Sequence, residues 1–66
     1  MKVKLDKDDD ALYFRLQSGA IIESEEVRPG VILDFDENDR VIGVEFLRVS
    51  ERASSEDLTV LQFEHD

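Results

Sequence analysis

The chain contains no cysteine and no tryptophan, and its single histidine is next to the last residue. Without cysteine there can be no disulfide framework, no thiolate metal site and no cysteine nucleophile. No histidine is placed by pattern to activate a serine, because His65 lies where chains usually fray. We therefore expect a protein that is not an enzyme and that carries no cofactor.

Basic residues are also scarce. Eight Lys and Arg stand against seventeen Asp and Glu, which gives a net charge of −9 at neutral pH. Nucleic-acid binding needs a basic stripe, and only Lys2, Lys4 and Lys7 lie close together in the sequence. This charge excludes nucleic acid as the expected partner and favours fast encounter with a basic protein.

Long apolar runs are missing as well. Nowhere does the chain approach the roughly eighteen consecutive apolar residues of a membrane-spanning helix, and its amino terminus lacks the apolar core of a signal peptide. We expect a cytoplasmic protein that does not bind membranes.

The length of 66 residues allows one domain, which we place at residues 1–66 with a sheet in 1–49 and a tail in 50–66. A chain of this size buries only about 60% of its unfolded surface. A deep ligand cavity would remove much of such a core, which again argues against an enzyme. Self-association into a homodimer would offset the shortage of buried area.

What the chain does have is alternation of apolar and polar residues, which indicates half-buried strands. Residues 1–6 and 11–17 alternate on either side of an acidic turn and predict an antiparallel pair. Residues 20–27 predict a third strand at a sheet edge, because Glu23, Glu25 and Glu26 would discourage sheet-to-sheet association. The pattern does not decide which side of this strand faces the core, since either Ile21 or Ile22 could point inward.

The stretch from Val27 to Leu47 holds the strongest pattern: two alternating runs introduced by a Pro-Gly corner and joined by an acidic tip. One phase of this hairpin is wholly apolar and predicts the nucleus of the core: Val31, Leu33, Phe35, Ile42, Val44 and Phe46. The opposite phase also contains the apolar residues Ile32, Val41 and Leu47. Such an outward patch is typical of a dimer contact or of partial covering by a terminal segment.

Alternation ends at Ser50. Ser54 or Ser55 could cap a short helix that packs Leu58, Leu61 and Phe63 on the sheet, although Thr59 to Leu61 would also suit a further strand. The sequence therefore predicts an α+β fold: an antiparallel β-meander of about five strands with a short carboxy-terminal helix on one face. The rival is an all-β arrangement.

Two acidic patterns could bind a cation. Asp34, Asp36, Asn38 and Glu45 match the spacing of a calcium loop, but Asp39 occupies the position that requires glycine for the sharp turn. The run Asp8 to Asp10 and the three glutamates of the edge strand are ordinarily solvated. We expect no metal site.

Several motifs together resemble a small prokaryotic family, the domain of unknown function 2283 (DUF2283). These motifs are D-A-L-Y at 10–13, P-G at 29–30, the aspartates at 34 and 36, and G-V-E at 43–45. The resemblance spans about residues 2–49. It implies a small β-rich domain without assigned catalytic residues, and an antitoxin-like role, because some members are encoded beside small toxins that resemble basic ribonucleases.

Two functional hypotheses follow. The first is a protein-protein interaction module, an antitoxin-like acidic partner of a small basic toxin. Its contact residues would be Glu23, Glu25, Glu26, Ile32, Val41 and Leu47. The alternative is a small-ligand or divalent-metal-binding domain that uses the acidic turns.

Overall fold

The computed structural model describes residues 1–54, which form one antiparallel sheet. Its strands are β1 (Lys2–Asp6), β2 (Ala11–Arg15), β3 (Glu23–Arg28), β4 (Val31–Phe35) and β5 (Val41–Leu47). A single 3-10 turn, Val49–Glu51, follows β5. The α+β expectation is wrong: residues 1–54 are all-β and contain no α-helix. The helix predicted around Leu58 and Leu61 lies outside the described residues.

The strand order is β1-β2-β5-β4-β3, so the expected meander is also wrong. A meander would have placed β3, with its three glutamates, in the middle of the sheet and β5 at an edge. In the structure β5 pairs with both β2 and β4, and β3 forms an edge, as its charge predicted. The longest strand thus has two partners, while the acidic strand has one.

The register divides the sheet into an apolar face and a polar face, because residues paired across antiparallel strands lie on the same side. Two rows cross the apolar face, which we define by these side chains: Val3, Phe14, Val44 and Leu33 in one row, and Leu5, Leu12, Phe46 and Val31 in the other. The rings of Phe14 and Phe46 meet edge-on, with centroids 6.2 Å apart. Strand β5 of the hairpin predicted as the core nucleus lies at the centre of the sheet, but of the six residues predicted for the core only Ile42 is buried. Among residues 1–54 the buried apolar residues are Ala11, Leu12, Ile42 and Val49.

A β-bulge changes the phase at the start of β5. The pairing runs from Asp34 opposite Gly43 to Phe35 opposite Val41, which leaves Ile42 as the additional residue. Val41 therefore lies across from Phe35 and does not continue the phase of Glu45 and Leu47. Ile42 is fully buried, and its backbone oxygen accepts a hydrogen bond from the Leu16 amide.

Aspartates and one glycine hold the turns. Asp10 has φ 52° and accepts hydrogen bonds from Ser50 through both carboxylate oxygens, which ties the first hairpin to the 3-10 turn. Gly30, with φ 77°, closes the corner between β3 and β4, and its amide donates to Glu26 Oε2. The left-handed backbone at these two positions suits glycine and aspartate best. Within residues 1–54 no helix is long and apolar enough to cross a membrane.

Candidate interaction surfaces

The apolar face is the first candidate surface, because most of its side chains are only half-buried. Of the eight residues that define it, Leu12 alone is classed as buried. The β3 edge of the sheet carries charged side chains beside this face. Glu23 and Glu25 of β3 pair with Phe35 and Leu33 and so lie on the same side as the apolar rows. The row that begins at Val3 thus ends at the Glu25 carboxylate, and the row that begins at Leu5 ends at Arg28.

The six residues predicted to contact a partner do not form one patch. Glu23 and Glu25 belong to the apolar side of the sheet, and Val41 lies across from Phe35. The remaining three residues lie on the polar face: Glu26, Ile32 and Leu47. The sequence pattern placed all three apolar members on one side because it contained no sign of the bulge at Ile42.

The polar face holds a hydrogen-bonded cluster that spans four strands. Asp34 of β4 accepts a hydrogen bond from Tyr13 Oη at 2.8 Å and another from Ser24 Oγ at 2.6 Å. Asp34 is only 8% exposed. Burial raises the pKa of the Tyr13 phenol. Strand β5 contributes Gly43 between Tyr13 and Asp34, and the missing side chain leaves room for the tyrosine to cross it.

Close packing explains why position 43 is glycine. A Cβ atom there would overlap Tyr13 Oη and would lie 2.8 Å from Asp34 Oδ2. Real Cβ atoms almost never come so close to a neighbour. Gly43 entered the sequence analysis only as part of the G-V-E motif; the structure identifies Tyr13 and Asp34 as the residues that approach it.

A concavity of ≈ 530 Å³ lies beside this cluster, and we call it the Tyr13 groove. Its apolar lining comes from Ala11, Ile21 and Leu47. Ile21 was one of the two candidates for the inward position of its segment; in the structure Ile21 and Ile22 are both exposed, at 43% and 64%. Neither isoleucine belongs to a strand.

The charged groups at the Tyr13 groove are mostly acidic. Lys4 is the one basic residue in the lining, and the carboxylates are Asp6, Asp9, Asp34 and Glu45, so the formal charge is 1 − 4 = −3. Asp6 Oδ1 accepts hydrogen bonds from the amides of Asp8 and Asp9, both at 3.1 Å. The Asp9 amide is the main cause that lowers the pKa of Asp6 and favours its charged form.

The structure separates the residues of the apparent calcium loop. The Asp34 carboxylate faces Tyr13 and Ser24, whereas Asp36 binds the hairpin turn through the amides of Asn38 and Arg40. Asp39 adopts φ 62° and so meets the conformational requirement that usually calls for glycine. Among residues 1–54, no three acidic or histidine side chains are grouped to hold a metal ion.

These observations define a class: a small protein whose described residues form a single antiparallel sheet, with one half-buried apolar face and one polar, grooved face. The chain belongs to the family described as Protein of unknown function (DUF2283), whose model matches residues 2–50. The resemblance identified from the sequence motifs is thereby confirmed. No curated protein and no solved structure matched the chain.

The motif residues that carry the resemblance now have positions in the fold. Tyr13, Asp34 and Gly43 form the cluster on the polar face. At the turns, Asp10 accepts two hydrogen bonds from Ser50, and Asp36 accepts three, from the Asn38 amide and from the amide and Nε of Arg40. The motif residues therefore make contacts that hold the strands and turns of the sheet together.

Proposed function

We propose that this protein is a non-enzymatic binding module that recognises a basic protein partner through its apolar face. The observation that carries the proposal is the composition of that face: two cross-strand rows of half-buried apolar side chains, flanked by Glu23 and Glu25. A single sheet normally buries its apolar side against a second layer. Here the partner supplies that layer.

The negative net charge of the chain favours a partner with a basic surface. The net charge is −9, and beside the apolar face β3 carries Glu23 and Glu25 against one basic residue, Arg28, which pairs with Val31. Complementary charge raises the association rate and makes it sensitive to salt, while buried anchors supply most of the affinity. Phe14 and Phe46, at the centre of the face, are the strongest candidates for such anchors.

The family relationship supports a specific form of this proposal. A small basic toxin encoded by the adjacent gene would be the partner, and this chain would act as its antitoxin. An acidic module that covers a basic surface would exclude the toxin's substrate. Glu23 and Glu25 would contact the basic surface, and Leu33 and Val44 would contact its apolar part.

The test is co-expression with the product of the adjacent gene, followed by purification at low salt and measurement of affinity. Leu33→Asp places a charge in the apolar face and should weaken the complex at least tenfold. Ile32→Asp is the matched control, because the neighbouring residue lies on the opposite face of the same strand. Circular dichroism of both variants establishes that each is folded.

Three results would contradict the proposal. The first is the absence of any complex at low salt. The second is an equal loss of affinity in the two variants. The third is a homodimer, detected by analytical ultracentrifugation, that Leu33→Asp dissociates while no complex with the neighbouring product forms; this result would assign the apolar face to a second copy.

A further inference from the structure

We propose that the outer edge of β1 is an interface between two copies of this chain, which pair antiparallel about a two-fold axis at Lys4 and so join their two sheets into one. The contacts are made by the edge of the sheet. The centre of the apolar face therefore stays open to the basic partner that the proposed function assigns to it.

The outer side of β1 offers backbone groups to a further strand. Among residues 1–54, β1 has one neighbouring strand, β2. The Leu16 amide donates to the Ile42 oxygen, so the even-numbered residues of β2 direct their backbone groups toward β5. The odd-numbered residues of β2 face β1 and bond to its three even-numbered residues. The amides and carbonyls of Val3 and Leu5 consequently point away from the sheet, where a further strand can pair with them.

The opposite edge of the sheet is protected against such pairing. Strand β3 carries Glu23, Glu25 and Glu26, and its register shifts between Glu26 and Arg28. Repelling charges and bulges both prevent edge-to-edge association. Strand β1 has neither a register shift nor a proline, and its formal charge is 2 − 1 = +1, against 1 − 3 = −2 for β3. In this acidic chain, β1 is therefore the edge that two copies can bring together.

Charge selects the register of the two β1 strands. Antiparallel pairing places an outward-facing residue of one copy opposite an outward-facing residue of the other. With Val3 opposite Leu5 of the second copy, Lys2 lies opposite Asp6 of the second copy, and the symmetry repeats this ion pair. Opposite charges in direct cross-strand positions stabilise a sheet. All five residues of β1 then take part in the pairing.

The other two registers are less favourable. Val3 opposite Val3 of the second copy would bring Lys2 against Lys4 twice, and like charges in these positions destabilise a sheet. Leu5 opposite Leu5 of the second copy would pair only three of the five residues of β1. In the proposed register like charges meet once, at Lys4 on the axis. The Lys4 side chain is exposed and turns toward Asp6 of the second copy, its diagonal neighbour.

The same register continues the apolar face across the axis. Residues paired across antiparallel strands lie on the same side of a sheet. The row that begins at Val3 therefore continues into the row that begins at Leu5 of the second copy. Both side chains are half-buried in one copy, and pairing buries them further. Such burial matters for a chain of 66 residues, which has little core of its own.

Disulfide cross-linking tests the register directly, because the chain has no cysteine of its own. On the two-fold axis, in a pair without hydrogen bonds, the two Lys4 Cα atoms lie about 4.5 Å apart, which suits a disulfide. Lys4→Cys should therefore cross-link under mild oxidation. Lys2→Cys is the control, since its two copies lie about 14 Å apart along the strands. Absence of cross-linking in Lys4→Cys, or equal cross-linking of the two variants, would overturn the proposal.

Sedimentation equilibrium of the unsubstituted chain over a range of concentrations should show a monomer–dimer equilibrium. Val3→Pro removes an outward-facing amide from the interface, and proline is tolerated on an edge strand where its nitrogen faces outward. We expect this variant to weaken the dimer at least tenfold, while its circular dichroism remains that of a folded sheet.

A matched pair of charge variants gives a second measurement, which also serves if Val3→Pro does not fold. Lys2→Glu places a carboxylate opposite Asp6 of the second copy and should weaken the dimer at least tenfold. Lys7→Glu makes the same change in net charge in the turn after β1 and should leave the dimer nearly unchanged. Equal losses in the two variants would refute the interface, because association would then follow overall charge.

Three results of sedimentation would reject the β1 interface. The first is a monomer at every concentration. The second is an open series of larger assemblies, which would indicate pairing of β1 with β3 of the next copy. The third is a dimer that Leu33→Asp dissociates and Val3→Pro does not, which would assign dimerisation to the apolar face. Since the proposed function is tested by binding of a different protein, its failure and the failure of this interface are distinguishable.

Discussion

The Tyr13 hydroxyl donates a 2.8 Å hydrogen bond to Oδ2 of Asp34, although their strands, β2 and β4, are separated by β5. The bond is possible because Gly43, the residue of β5 between them, has no side chain. Three residues far apart in the sequence are therefore interdependent. A change at any one of them alters the environment of the other two.

Gly43→Ala should destabilise the fold by about 1–3 kcal/mol, the usual cost of overpacking. The added methyl group would overlap Tyr13 Oη and crowd Asp34. Urea denaturation followed by circular dichroism measures the change in the free energy of unfolding.

A double-mutant cycle checks the cause. In the Gly43→Ala background, Tyr13→Ala should cost less than it does alone, because it removes the group that the methyl overlaps. Strict additivity of the two substitutions would show that the loss arises elsewhere.

Alkaline pH should destabilise the protein through Tyr13. Burial raises its pKa in the folded state above the unfolded value of 10.0. The resulting stability is fully present below the unfolded pKa and is lost as pH rises through the folded pKa. Since Tyr13 is the only tyrosine, the ultraviolet absorbance of its phenolate reports this pKa directly. Tyr13→Phe should flatten the alkaline branch of stability against pH; an unchanged branch would contradict the assignment.

Acid should weaken the β4–β5 hairpin through Asp36. The Arg40 amide is the largest influence that lowers the pKa of Asp36, and the Asn38 amide and the Arg40 guanidinium act in the same direction. This stability is present above the unfolded pKa of 3.8 and is lost as pH falls through the folded pKa. Asp36→Ala should lower the Tm at neutral pH and reduce the loss of stability in acid, measured by thermal melts. Glu37→Ala, at the exposed tip, should do neither.

Asp10→Ala should lower stability by about 1 kcal/mol or more, because two hydrogen bonds to Ser50 disappear and alanine tolerates φ 52° less well than aspartate. Hydrogen exchange should show faster opening of the Val49 amide, which is bonded to the Asp10 backbone oxygen. Asp9→Ala, at the adjacent exposed position, is the control and should leave the Val49 amide protected.

The strands could be predicted from the sequence because alternation is a local property. Residues 2–6 and 11–15 formed the expected pair, and the hairpin from Val27 to Leu47 contained β4 and β5 as predicted. Turn residues could also be predicted from the sequence: Gly30 was assigned to a corner and Asp10 to a solvated turn. The edge position of β3 followed from its glutamates.

The candidate sites could not be predicted from the sequence in the same way. The groove depends on which strands are neighbours, and adjacency in sequence wrongly favoured β3 as the neighbour of β2. In that order β3 would have lain between β2 and β4, and Gly43 of β5, which has no side chain and so lets Tyr13 reach Asp34, would not have separated them. The bulge at Ile42 left no sequence signal either, and it decided which side Val41 joins.

The sequence by itself determined the strands, their turns and the apolar phase of the β4–β5 hairpin, since each depends on residues within a few positions of one another. Only the tertiary structure decided that β5 enters the centre of the sheet. That arrangement gives the longest strand two partners and leaves the charged strand at the edge. It also brings Tyr13, Gly43 and Asp34 into contact, because cross-strand packing depends on register and strand order and not on distance along the chain.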